Sequence, residues 1–129
     1  MLLGYNKNLS KMRCIEIYHN PRCSKSRAAI AILTKFNIRF KIKEYLKEGL
    51  SLDEIKLLSQ KLNLNPIDFV RKKESVFKLL NFESESIENQ LKLLQKNPVL
   101  LERPIVVLDS KAIIARPPEK ISEFIISLK

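Results

Sequence analysis

The segment His19-Asn20-Pro21-Arg22-Cys23-Ser24-Lys25-Ser26-Arg27 sets one thiol among basic and hydrogen-bonding residues, a combination suited to nucleophilic sulfur chemistry. Cys14 to Tyr18 is short and β-prone, and a helical pattern begins just after Cys23. A cysteine at such a junction meets the unpaired amides and partial positive charge of a helix's first turn. Both lower a thiol pKa, and Arg22, Lys25 and Arg27 are expected to act in the same direction, giving a thiolate near neutral pH. The same amides can hold an incoming oxyanion. The alternative is that Cys23 is a small buried hydrophobe, as most unpaired cysteines are. Its polar, basic neighbours favour the reactive reading.

Neighbouring spacings narrow the chemistry. Ser26 stands where a C-x-x-C motif would carry its second thiol, so no disulfide can close within the loop and an external thiol is required to complete a redox cycle. A tyrosine-phosphatase loop needs arginine six positions after its cysteine, and that position is Ala29. Cys14 begins the apolar strand and reads as structural. At about 3.3 Å per strand residue it lies roughly 15 Å or more from Cys23, too far for a bridge.

A second set of residues lies near the C-terminal end. Ile105-Val106-Val107-Leu108 and Ala112 to Ala115 read as two strands joined by a turn at Asp109-Ser110. Antiparallel pairing centred on that turn sets Leu108 opposite Lys111 and, counting outward, Arg103 opposite Arg116. Like charges facing each other are destabilising, so either a bound anion sits between the guanidinium groups or both splay into water. Pro104, directly before the apolar strand, is either a cis-proline making a tight turn beside the cysteine or an ordinary proline at a strand's first residue.

Several elements must position these groups. In the helix after Cys23, Ala29, Ile32, Leu33 and Phe36 share a face. Phe40 and Ile42 alternate with Lys41 and Lys43, which predicts a second strand with one covered face and completes a βαβ unit. From about 51 to 97 the pattern is helical. Ser51 and Glu54 form a capping box, Asn65-Pro66 reads as an N-cap followed by proline, and Ile87, Leu91 and Leu94 recur at helical spacing before Pro98. A last helix presents Ile121, Phe124, Ile125 and Leu128. The fold class is therefore α/β, a mixed sheet in the thioredoxin-like order β-α-β … β-β-α with a helical insertion. Residues 1–12 read as a poorly ordered leader, with Met12 an alternative start, and 13–129 as a single domain.

Composition sets the remaining bounds. The 129 residues are 45% hydrophobic, enough for one core. No window approaches the roughly 18 to 20 apolar residues that a membrane span needs, so no membrane association is expected. The formal charge of +10 comes from basic residues scattered along the helices rather than clustered, which describes a solvated surface and gives no nucleic-acid arm. Two cysteines and one histidine supply neither a disulfide scaffold nor a zinc ligand set, so no metal is expected. Reduced thiols and the absence of a secretory signal point to a cytoplasmic protein.

The cysteine loop, Phe69-Val70-Arg71-Lys72-Lys73, Asn97-Pro98, Arg103-Pro104-Ile105-Val106-Val107 and Ala115-Arg116-Pro117 together resemble the glutaredoxin-coupled arsenate reductases of the Spx superfamily, from about Ile15 to Leu128. The resemblance implies a thioredoxin-like fold and reduction of arsenate to arsenite. In that family the loop cysteine attacks arsenate, a glutathione thiol joins the adduct and glutaredoxin resolves the mixed disulfide. It implies Cys23 as nucleophile, His19 as support for the thiolate, and Arg71, Arg103 and Arg116 as oxyanion ligands. Ser24, Ser26, Arg27 and Pro104 become supporting residues, and glutathione is a co-substrate rather than a bound cofactor. The loop departs from the best-studied members at Ser24 and Lys25, where those have glycine and threonine. Two rivals share the superfamily: an Spx-type regulator that binds RNA polymerase, and a glutathione-dependent thiol transferase that does not act on arsenate.

Overall fold

Short β-branched segments separated by amphipathic helices produce the architecture seen in a computed structural model, which describes residues 15–127. The leader over 1–12, Met12, Cys14 and Leu128 lie outside the described residues. Strands β1 (Ile15–Tyr18), β2 (Phe40–Lys43), β3 (Ile105–Leu108) and β4 (Lys111–Ile114) form one sheet in the order β2-β1-β3-β4. β1 and β2 run parallel, joined by helix α1 (Ser24–Lys35), while β3 is antiparallel to both β1 and β4. With the closing helix α6 (Lys120–Ser127), this is the thioredoxin-like mixed sheet that the element order predicts.

By contact the described residues divide into two compact units, one made of those up to Glu44 with those from Arg103 onward and the other of Tyr45–Glu102. In the first, Ile15 and Ile17 of β1 share a sheet face with Val106 and Leu108 of β3. Ala29 and Leu33 of α1 and Ile121, Phe124 and Ile125 of α6 belong to the same core, with Ile32 and Phe36 packed at its margin. Removing one of these large aliphatic side chains from water contributes roughly 1.5–3 kcal/mol. β2 departs from the expected covered face, because Ile42 is 43% exposed. Among the described residues the strand is paired on one side only, and Ile42 sits opposite Ile17 there.

The second unit is helical: α2 (Tyr45–Glu48), α3 (Leu52–Leu62), α4 (Ser75–Leu79) and α5 (Ile87–Lys96), with 3-10 turns at Pro66–Asp68, Phe82–Ser84 and Pro98–Leu100. Both bonds of the Ser51–Glu54 capping box are made, each at 3.0 Å. Asn65-Pro66 opens a single 3-10 turn rather than an α-helix, and the Asn65 side chain makes no capping bond. Ser86, which lacks a glutamate three residues on, is nonetheless the N-cap of α5 and accepts from the Asn89 N–H. Leu91 and Leu94 are buried on α5, whereas Ile87 is exposed in its first turn.

Sheet topology decides which termini meet. The parallel pairing sets Tyr18 opposite Lys43, and the His19 N–H extends it by donating to the Lys43 carbonyl at 2.9 Å. The antiparallel pairing sets Tyr18 opposite Ile105. The β3–β4 hairpin then brings the end of β4 to the start of β3, in the register counted from the sequence: Leu108 opposite Lys111 and Ile105 opposite Ile114. Asp109 turns the hairpin with a φ of 55°, which aspartate tolerates better than most residues. One end of the sheet therefore gathers the loop after β1, the residue after β2 and the arginine-proline steps bordering β3 and β4.

Candidate active site

The loop leaving β1 is folded by its own polar groups. Asn20 Oδ1 accepts from the Arg22 N–H at 3.0 Å, and the Asn20 carbonyl accepts from the Cys23 N–H at 3.0 Å. These bonds make the tight turn that asparagine favours. Cys23 has extended backbone angles, φ −94° and ψ 123°, and its carbonyl accepts the first helical bond from the Arg27 N–H at 3.0 Å. It is the N-cap of α1. Ser26, fully buried, accepts from the Asn20 N–H at 3.3 Å, so the hydroxyl at the second position of the would-be C-x-x-C pair ties the loop to the helix. Ser24 is exposed at the first helical position.

The electrostatics of Cys23 are a contest. Burial of the sulfur is the largest single influence and pushes its pKa up. Against it act the backbone N–H of Ser26, the side chain of Arg103, the backbone N–H of Lys25 and the charge of Arg103, and together these leave the thiol below the ordinary cysteine value. The cation that acts on Cys23 is thus Arg103, supplied from the start of β3. The flanking cations behave differently from expectation. Lys25 acts through its amide, Arg27 donates from Nη1 to the Pro21 carbonyl at 2.9 Å, and Arg22 is exposed.

His19, only 7% exposed, occupies the first loop position. Its Nδ1 is buried and has no hydrogen-bond partner among the described residues. Burial holds its pKa below the ordinary histidine value; Glu44, just beyond β2, raises it and Arg27 lowers it further.

At the end of the hairpin the Arg103–Pro104 and Arg116–Pro117 bonds are both cis. Pro104 is buried, and its carbonyl accepts from the Ala115 N–H at 2.8 Å. Arg116 Nη1 donates to the Arg103 carbonyl at 3.1 Å, a side-chain-to-backbone bond that the sequence does not predict. Cys23, His19, Ser26, Arg27, Arg103, Pro104 and Arg116 all belong to the first unit.

Arg71 belongs to the second. There Val70 bridges Leu101, and the Arg71 N–H donates to the Leu100 carbonyl at 2.7 Å. Its guanidinium lies 3.1 Å from Glu74 and 3.7 Å from Glu102. Among the described residues, no three His, Cys, Asp or Glu side chains are grouped to hold a metal ion, and no helix is long and apolar enough to cross a membrane.

The sequence model of the ArsC family matches residues 18–124, from the end of β1 into α6. The chain is 39% identical over 110 residues to the arsenate reductase of Neisseria meningitidis serogroup A, covering 83% of this chain and 94% of that protein. It superimposes on the solved structure of the arsenate reductase from Vibrio cholerae with a TM-score of 0.81 at 39% identity, covering 85% of this chain and 96% of the other. It is also 30% identical over 113 residues to the global transcriptional regulator Spx of Listeria innocua, covering 86% of each. The match takes in the cysteine loop, the helical unit and both arginine-proline steps, and the chain belongs to the ArsC family.

Proposed function

We propose that this protein reduces arsenate to arsenite, with Cys23 as the nucleophile, glutathione as co-substrate and glutaredoxin as the resolving partner. One observation carries the reading: the Arg103 side chain and the first amides of α1 converge on a half-shielded sulfur and hold its pKa down. Such a cluster favours an anion at the sulfur and beside it. The named arsenate reductases at 39% identity support the choice of substrate.

In this reading the Cys23 thiolate attacks arsenic, so that an S–As bond forms and an As–O bond breaks with loss of water. The thiol of glutathione joins in the same way. A glutaredoxin thiolate then attacks the glutathione sulfur, and the electron pair of that S–As bond stays on arsenic, taking it from the +5 to the +3 state. Hydrolysis frees arsenite and returns the Cys23 thiolate. Arg71, Arg103 and Arg116 bind the oxyanion and His19 supports the thiolate. Ser26 and Arg27 hold the loop, Ser24 begins the helix, and Pro104 sets the start of β3. The likeness to Spx favours a regulator role, but Ser26 weakens it, because a buried hydroxyl bonded to Asn20 stands where a C-x-x-C switch needs a second thiol.

The test couples purified protein to glutathione, glutaredoxin, glutathione reductase and NADPH. NADPH consumption should require arsenate and vanish in Cys23→Ser. Consumption on a small mixed disulfide with glutaredoxin left out, and none on arsenate with it present, would instead identify a thiol transferase.

A further inference from the structure

The end of the β3–β4 hairpin is closed in an unusual way. The backbone ladder runs through Ile105–Ile114 and is extended by the Ala115 N–H on the Pro104 carbonyl. Beyond that bond come Arg103 and Arg116. The Arg116 N–H turns back to the Ile114 carbonyl at 3.0 Å, and the Arg103 carbonyl receives the Arg116 side chain through Nη1. The peptide carrying Arg103 is thus held at its carbonyl by the Arg116 guanidinium. From this same residue a side chain reaches the Cys23 sulfur.

We infer that Arg116 is a positioning residue, which holds the Arg103 carbonyl and so fixes the backbone from which the Arg103 guanidinium meets Cys23. This role exists before any oxyanion arrives and is separate from the anion contact proposed above, although it rests on reading Cys23 as the nucleophilic thiolate. The physical case is one of reach. Arg103 carries a long side chain with several rotatable bonds, and a donor that drifts by about 1 Å loses much of its value to the group it serves. A bond that clamps its backbone removes part of that freedom in advance. A lysine at 116 would keep the positive charge but lose the planar fork.

The experiment is a double-mutant cycle on the oxyanion-free protein, read as the pH dependence of Cys23 alkylation. Four proteins are compared: the parent, Arg103→Gln, Arg116→Gln and the double variant. Arg116→Gln should raise the alkylation midpoint by roughly half a pH unit or more, about a threefold loss of thiolate well below the midpoint. In the Arg103→Gln background the same substitution should add nothing, because its route to the sulfur is gone. An effect equal in both backgrounds, or none in either, overturns the inference and leaves the reading of Cys23 standing. A parent midpoint at or above that of an ordinary cysteine overturns both. Should Arg116→Gln fold poorly by circular dichroism, Arg116→Lys replaces it in the cycle, with a smaller shift that still disappears in the Arg103→Gln background.

Discussion

A sulfur partly withdrawn from water is a poor place for negative charge, and at Cys23 burial is opposed by two helix amides and a guanidinium from the segment that leads into β3. His19 meets the opposite balance. Its imidazolium is disfavoured by burial and by Arg27 more than it is favoured by Glu44, so its pKa is lowered. Between that lowered value and the ordinary histidine value of about 6.5, the folded chain binds fewer protons than the unfolded one. The stability associated with neutral His19 is therefore complete above about pH 6.5 and is lost as pH falls through the lowered pKa. In urea unfolding between pH 7 and pH 5, His19→Gln should lose stability less steeply than the parent. Equal slopes would remove His19 as the source. The sequence at this scale points to Cys23 by type and loop position, and to His19 only through the family resemblance. It points to Arg22, Lys25 and Arg27 as the activating cations because they are adjacent in the chain, whereas Arg103 acts from 80 positions away through strand pairing.

Elements with strong local signals are legible, and those that depend on tertiary context are not. The Ser51–Glu54 box works because both of its partners lie within one turn, and the hairpin register follows from a two-residue turn. Asn65-Pro66 carries the same kind of start signal, yet the chain after it closes only one 3-10 turn. Three residues place few side chains on a core, and helices gain most of their stability by packing. Ile87 fits the apolar period of α5 but remains exposed, while Gln90 on that helix is buried with its amide donating to the Phe82 carbonyl at 3.0 Å. Periodicity alone assigns neither fate. The capping box allows a direct check: Ser51→Ala should cost about 1 kcal/mol in urea unfolding, since it leaves the Glu54 amide without its acceptor. An unchanged midpoint would mean that α3 is held by packing alone.

At the scale of the whole molecule, the chain lays down β1, α1 and β2, builds a helical unit over 45–102, and returns at Arg103 to complete the sheet. The return matters chemically because the residue at which it begins is the one whose guanidinium reaches Cys23. The helical unit holds Arg71 between Glu74 and Glu102, so its guanidinium is already engaged by two carboxylates of its own unit. The net charge of +10 adds a general attraction for anions, which salt screens. The most direct measurement is mass spectrometry of the protein quenched after exposure to arsenate and glutathione without glutaredoxin. An adduct containing arsenic, located on the Cys23 peptide, requiring arsenate and missing from Cys23→Ser, is the expected result. Glutathione alone on Cys23 whether or not arsenate is present, or an arsenic adduct that survives in Cys23→Ser, would contradict it.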